Sequence, residues 1–570
     1  MWTITNRKSL KIMKIKSLLI SLMVFVIAPA LMAQEDQKPY SEEVTIIAPY
    51  QPSIQDARKL SLFPEIKVEA PEKKEVKYNI VPQKIPMDVE LEPMRAVRVQ
   101  GNEEVEPLKS NYIRGGIGNY KTAYGELFTT SKQSESHRIG LHLKHLSHGG
   151  EINDYATAKN SENLAELFGE KYYKKSSLYG KLFFERNMLH RYGFMPADFT
   201  ETFEDEDIRQ IYTKFGGNIR YENLEKEEDE FDYHLDLGYF GWRDNYNSLE
   251  NEVRLKAFAE QPAEIFDFVE YQSFAIDADL RFYNSGDSIN AINTVNLNIT
   301  PYIDIKNGFY HLQAGANLST IMSDEKDAEI TAFPYAKAWV HIVPGYVTLT
   351  GGISGKKEHQ SFRKLSGINP FIKSDITRKF TTTEINTYGA LTGNIARGVD
   401  FNLKITYEDY RDYPLFVTDF TKTFNNEFKL AYDDITKLGY AGALSITAGH
   451  SLEIDMSANY FTYTTTNEAE AWHLPELEIS AAATYTPNLP IPLNFKLKAK
   501  SLSGRYAKDS NGNAEAMEDI LDVSFAVQYE HSSSLGAFLE LNNLMAENQY
   551  WWHNYPSYGF NALVGVSYSF

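Results

Sequence analysis

The chain has 570 residues, a formal charge of -20, 37 Tyr, 33 Phe and no Cys. The missing cysteine excludes disulfides, thiolate metal sites and an N-terminal lipid anchor, and the acidic balance argues against nucleic acid as a partner. Past the first 33 residues no apolar run approaches the roughly 20 residues of a spanning helix, so the mature chain is either soluble or crosses a membrane as a closed barrel of half-apolar strands.

Lys8, Lys11, Lys14 and Lys16 precede an apolar run from Leu18 to Ala28, and Leu31-Met32-Ala33 before Gln34 has the small-residue pattern of a cleavage site. Residues 1–33 therefore read as a secretory signal peptide. Residues 34–109 carry Pro39, Pro49, Pro52, Pro64, Pro71, Pro82, Pro86, Pro93 and Pro107 with many charges and few apolar groups. Such punctuation forbids long helices and central strands, which predicts an extended periplasmic arm.

From residue 110 to 570 the chain reads as strand after strand of about ten residues. Phe401, Leu403, Ile405 and Tyr407 interleave with Asn402, Lys404, Thr406 and Glu408, and Leu493, Phe495 and Leu497 interleave with Asn494, Lys496 and Lys498. No linker or blade repeat interrupts this pattern, which favours one large antiparallel barrel over a row of sandwiches or a propeller. Dividing the length by roughly 22 residues per strand and connection predicts about 18 to 22 strands. Short connections at 488–490 and 531–534 alternate with long ones at 504–517 and 544–558, which puts the C-terminus on the side of the short turns, the periplasm. The alternation fails around 149–207, where two long connections follow one another, and again around 411–438.

The last strand is the clearest. Phe560, Ala562, Val564, Val566, Tyr568 and Phe570 share one face, against Asn561, Gly565, Ser567 and Ser569 on the other, interrupted by Leu563. This ending resembles the closing strand of bacterial, Gram-negative outer-membrane β-barrels. The resemblance implies that Val566, Tyr568 and Phe570 form the signal captured by the barrel assembly machinery.

Leu539-Glu-Leu-Asn-Asn-Leu544, Tyr550 and Tyr555-Pro-Ser-Tyr-Gly559 resemble the closing hairpin of TonB-dependent receptors, and Glu43, Val44, Thr45, Ile46, Ile47 and Ala48 resemble the TonB box. That resemblance implies strand addition to the TonB energy-coupling protein and uptake of a solute; the partner expected beside the barrel is that protein or a surface lipoprotein. The chain departs from the family in the arm, which shows no recognisable plug pattern. Ile113-Arg-Gly-Gly116 is similar to a plug fragment but reads in context as the first hairpin of the barrel.

Among possible sites, Lys496, Lys498 and Lys500 form a row of lumen charge, and Trp551, Trp552, Tyr555 and Tyr558 are candidates for outer-loop contact, by stacking or as an interfacial girdle. His142, His145 and His148 do not share one strand face, so no metal site is expected. The acidic runs 204–207 and 227–230 lack the spacing of a calcium loop. No nucleotide loop, zinc motif or nucleophile elbow occurs, and neither enzyme activity nor a cofactor is expected. The function classes that remain are an uptake receptor or porin-like passage in the outer membrane, and a non-transporting accessory barrel of an assembly or export complex.

Overall fold

The computed structural model describes residues 109–570 except 132, 133, 135, 225–229, 268 and 287–290. The signal segment, the TonB-box-like residues 43–48, the question of a plug and most of the acidic run 227–230 lie outside the described residues.

Twenty-two strands form one antiparallel sheet. Each strand pairs with the next along the chain, and the first, Asn111–Gly118, pairs with the last, Asn561–Ser569, from Tyr112 opposite Ser569 to Gly118 opposite Leu563. The sheet is therefore a closed barrel with no free edge. Alternation sorts the side chains: Leu182, Ile219, Leu237 and Val566 stand exposed on the outer wall, while Lys181, Lys214 and Glu540 make ion pairs on the inner one. An apolar exterior around a polar lumen is the arrangement that lipid imposes.

The two ends differ. Near the termini the connections are tight, such as 173–175, 308–309, 397–398 and 531–534; at the other end they include 191–208, 360–379, 504–519 and 543–560. The expected failures of alternation do not occur. Between 149 and 207 the chain makes a complete hairpin, Asn160–Tyr172 and Ser176–His190, joined by only 173–175. Its first strand escapes a pattern search because Leu164 and Phe168 face the lumen alongside Glu162 and Glu166. Around 411–438 the strands Val399–Thr418 and Phe428–Ala448 simply continue through the supposed loop, at 20 and 21 residues. Their tops rise into the loop end, where Leu415, Val417 and Ile435 pack around the buried Trp472.

The long connections carry short elements of their own: the helix Phe362–Ile368, the hairpin of Tyr506–Lys508 with Ala514–Ala516, and that of Tyr550–Trp552 with Tyr555–Pro556. They position the site described below.

The seam between first and last strands depends on glycine. A Cβ on Gly565 would lie 2.3 Å from the carbonyl oxygen of Gly115 and 2.3 Å from the Phe538 ring, whereas one on Gly125 would meet nothing within 4 Å. Gly565→Val should therefore lower the unfolding midpoint, at a cost of about 1–3 kcal/mol for overpacking, and Gly125→Val should leave it in place. Heat-dependent mobility of the folded barrel on gels would read both.

Candidate functional site

The long connections fold inward and meet over the mouth of the barrel. Connection 360–379 begins with Ser361, whose hydroxyl accepts the Lys364 N–H at 3.2 Å and so caps the helix that follows. The barrel wall supplies the second cap. Glu250 accepts the N–H groups of Phe362 at 2.9 Å and Arg363 at 3.3 Å and pairs with Arg378 at 3.1 Å. A carboxylate at this position satisfies orphan donors and meets the positive end of the helix dipole. Phe362 stacks on Trp242 with centroids 5.0 Å apart, Trp242 donates to Ser366 at 3.1 Å, and Tyr212 donates to the Pro370 carbonyl at 2.8 Å. The helix is thus pinned to the strands Arg209–Asn223, Asp232–Asp244 and Leu249–Pro262.

From there the packing crosses the mouth. Tyr212, Trp242, Phe362, Leu365, Phe428 and Tyr555 belong to one buried cluster, although they come from four separate parts of the ring. Arg191 follows the fifth strand and Glu427 precedes the sixteenth, ten strands apart in a ring of 22. They nevertheless form a buried ion pair. Arg191 also donates to Gln210 at 2.6 Å and to the Ile372 carbonyl at 3.2 Å, and its own carbonyl accepts Asn426 at 2.7 Å. Phe194 stacks on Phe424 at 4.5 Å beside this pair. A contact between nearly opposite walls means that these loops bridge the opening.

Connection 543–560 is clamped by Arg505, which donates to the carbonyls of Trp551 at 3.1 Å, Tyr550 at 2.9 Å and Glu518 at 2.8 Å. Burial lowers this guanidinium to about 10. Beside it, His473 Nδ1 donates to the Phe416 carbonyl at 2.9 Å, and its Nε2 accepts the His553 N–H at 3.4 Å. Those partners fix one neutral tautomer, because a proton on Nε2 would face another donor. Burial, with the nearby His553 and Arg505, lowers His473 to about 3. Burial also lowers His553, against the pull of Glu515 at 3.4 Å.

Beneath the loops lies the lumen wall. A recess of about 900 Å³ is lined by Asp400, Asp455, Ser480, Lys498, Lys500 and Asp522 among others, and Lys496 and Lys498 line the next recess with Arg114 and Glu540. All three lysines therefore face the lumen. Lys496 and Lys498 form no ion pair among the described residues, and the Lys500 ammonium sits 5.3 Å from the Trp551 ring. Of the loop aromatics, Trp551 is exposed, Trp552 is partly buried, Tyr555 is buried at the centre of the cap, and Tyr558 packs tilted against Tyr120, stacks on His148 and donates to the Ala158 carbonyl at 2.8 Å. Three of the four thus hold loops to one another and to the wall. Val566, Tyr568 and Phe570 all point outward. His142 lies between Glu126 and Glu166 in the lumen, whereas His145 faces out. No group of metal-ligating side chains forms among the described residues.

Sequence reasoning missed Arg191, Glu250, Arg378, Glu427, Arg505 and His473, the polar groups that hold the cap. Glu250 and Glu252 carried a weak signal, since two carboxylates flank the end of an otherwise apolar-alternating strand.

A closed barrel with an apolar exterior and a charged lumen is the architecture of an outer-membrane β-barrel. The fold is TonB-dependent-receptor-like. Similar solved structures include the FrpB iron transporter from Neisseria meningitidis (TM-score 0.62, 9% identity, 81% of each chain covered). They also include FpvA from Pseudomonas aeruginosa, solved bound to heterologous pyoverdines (TM-score 0.61, 10% identity, 81% of this chain and 72% of that one). A third is the ferric-catecholate import receptor Fiu from Escherichia coli K12 (TM-score 0.59, 10% identity, 81% of this chain and 82% of that one). At such identities the likeness is one of fold. No family model and no curated protein matches the sequence.

The cap yields two expectations. Arg191→Ala leaves Glu427 with only Lys422, at 3.7 Å, and strips Gln210 and the Ile372 carbonyl of their donor, a loss of about 1–3 kcal/mol; limited proteolysis of the native barrel should then cut within 191–208 and 419–427 at a rate well above that of the parent. For His473 the folded value is depressed from 6.5 to about 3, so its contribution is full above pH 6.5 and is lost as the pH falls from 6.5 towards 3, where the unfolded chain binds the extra proton. The cap should loosen on acidification to pH 5. His473→Asn, which tolerates the positive φ of 63° at this position, should flatten that dependence in single-channel conductance.

Proposed function

We propose that this protein is an outer-membrane uptake receptor: an integral barrel, with its arm and C-terminus in the periplasm and its long connections outside, that admits a solute through a mouth gated by those connections. One observation carries the reading: loops from nearly opposite walls, joined by Arg191 and Glu427, bridge the entrance to a charged lumen. A porin-like open channel has no need of such a bridge, and an accessory subunit has no need of a lined passage beneath it. The iron transporter and siderophore receptors that share the fold support uptake as its use.

The lumen narrows the solute class. Lys496 and Lys498 make no ion pair among the described residues and stand beside serine hydroxyls from neighbouring strands, on a wall that also carries Asp400, Asp455 and Asp522. Unpaired cations along a low-dielectric passage attract anions. The favoured solute is anionic, a description that metal chelates with carboxylate or catecholate groups satisfy. Residues 43–48 would offer a strand to the energy-coupling protein, and no catalytic residue enters this reading.

The test is uptake into intact cells from an anionic solute library, with this chain as the sole variable. Lys496→Gln with Lys498→Gln should cut entry of the accepted anion about tenfold, the equivalent of roughly 1.4 kcal/mol, without changing the amount of barrel in the membrane. Deleting residues 43–48 should abolish accumulation against a gradient and leave surface binding intact. Uptake unchanged by loss of the protein, together with stoichiometric co-purification of assembly or export components, would sink the proposal.

A further inference from the structure

The outer wall carries a feature that transport does not use. Strand register places His145, Asn163, Arg186, Thr213 and Arg243 side by side across five neighbouring strands, near their loop ends. His145 faces outward with its Nδ1 2.8 Å from Asn163 Oδ1, and Arg186 and Arg243 are exposed. Neither arginine has an ion-pair partner among the described residues, although the chain as a whole is strongly acidic.

Directly below this row the wall turns apolar. Next come Leu143, Ala165, Phe184 and Phe215, then Leu141, Leu167, Leu182, Gly217 and Tyr239, then Ile139, Gly169, Gly180, Ile219 and Leu237. Where Gly169 pairs with Gly180 and Leu182 with Gly217, the missing side chains leave a trough in the surface. It forms a groove of about 1000 Å³ walled by Ile139, Leu167, Leu182, Ile219, Tyr239 and Val253. A groove inside the apolar belt is covered by hydrocarbon, and two unpaired guanidinium groups above it call for an anion that accepts several hydrogen bonds, which a phosphate does.

We propose that this wall is a binding site for a phosphorylated lipid of the outer leaflet, with acyl chains in the glycine-floored groove and a headgroup phosphate between Arg186 and Arg243. The assignment to the outer leaflet rests on the orientation given above; the site itself rests on register and charge. Charge complementarity selects lipid over an apolar protein segment as the occupant, since such a segment would leave both arginines uncompensated at the boundary.

Gly180 offers a clean test because a Cβ there would meet nothing within 4 Å, so Gly180→Leu fills the groove without moving the backbone. The intact barrel, in maltoside micelles doped with diphosphorylated lipid A or its phosphate-free form, is examined by native mass spectrometry. One phosphorylated lipid should stay bound per barrel, and the phosphate-free form should not. Gly180→Leu and the pair Arg186→Gln, Arg243→Gln should each reduce retention at least tenfold. Gly389→Leu is the control: it is an outward-facing glycine on a distant strand, also with nothing within 4 Å. Equal retention in all variants, equal retention of both lipid forms, or equal loss in the control would overturn the site. Because lipid retention is read without transport, failure of the uptake proposal leaves this result standing, and the reverse holds too.

Discussion

Everything in this structure depends on one constraint: within hydrocarbon no backbone N–H or C=O can be left unpaired. A half-apolar strand meets it only by pairing on both sides, so the sheet must close, and Asn111–Gly118 closes it against Asn561–Ser569. Closure with 22 strands has a consequence. The enclosed lumen is too wide for wall side chains to fill, so passage must be controlled by something other than the strands. The long connections meet that need from one end, by folding into the opening rather than away from it.

The cap they form is packed like a protein interior yet held at its key points by buried polar groups. Glu250 with Arg378, Arg191 with Glu427, and Arg505 on three carbonyls all exchange strong hydration for directed bonds. Such exchanges return little net stability while penalising any other arrangement of the same groups. A cap built mainly from them has one defined closed geometry and a modest cost of opening. An apolar seal of the same area would be harder to open and less specific in how it closes. The neutral His473 follows the same logic: its single tautomer matches one donor and one acceptor, and a second proton has no place to go.

Much of the fold was legible in the sequence because barrel strands announce themselves by period two. The last strand, the first hairpin around Ile113 and the alternating ends near 531–534 all follow from it, and 22 strands lie at the upper edge of the expected range. Legibility failed where lumen residues are apolar. In Asn160–Tyr172, Leu164 and Phe168 face inward beside acidic residues, so this strand lacks the greasy-wet alternation and the short turn 173–175 after it does not separate the two long connections around 149–207. It failed again where strands outgrow the membrane, because the tops of Val399–Thr418 and Phe428–Ala448 pack on loops and lose the greasy-wet alternation. The cap was not legible at all. Arg191 and Glu427 are separated by 236 positions, and nothing local to either marks it as the other's partner. Aromatic density around Trp551–Tyr558 was visible, but whether such rings face out or in is decided by where neighbouring loops land, a tertiary fact.

The same alternation lets one stretch of wall carry two unrelated chemistries. On the inner face of the strands from 137 to 223, His142 sits between Glu126 and Glu166, Lys181 meets Glu166, and Lys214 meets Glu185 at 2.8 Å. Each cation there has an acid at hand, so this part of the lumen is close to neutral and offers little to steer an ion. On the outer face of the same strands Arg186 and Arg243 have none. Successive side chains point to opposite sides of a sheet, so the two faces can be tuned independently, and the pairing inside shows that acidic residues were available within one position of the unpaired bases outside. An arginine kept without a partner at the rim of an apolar belt must find its counter-charge in the surroundings, and at that rim the surroundings are lipid headgroups. The lumen lysines 496 and 498 are the inward version of the same omission, on a different part of the ring, and there the missing counter-charge points to the solute.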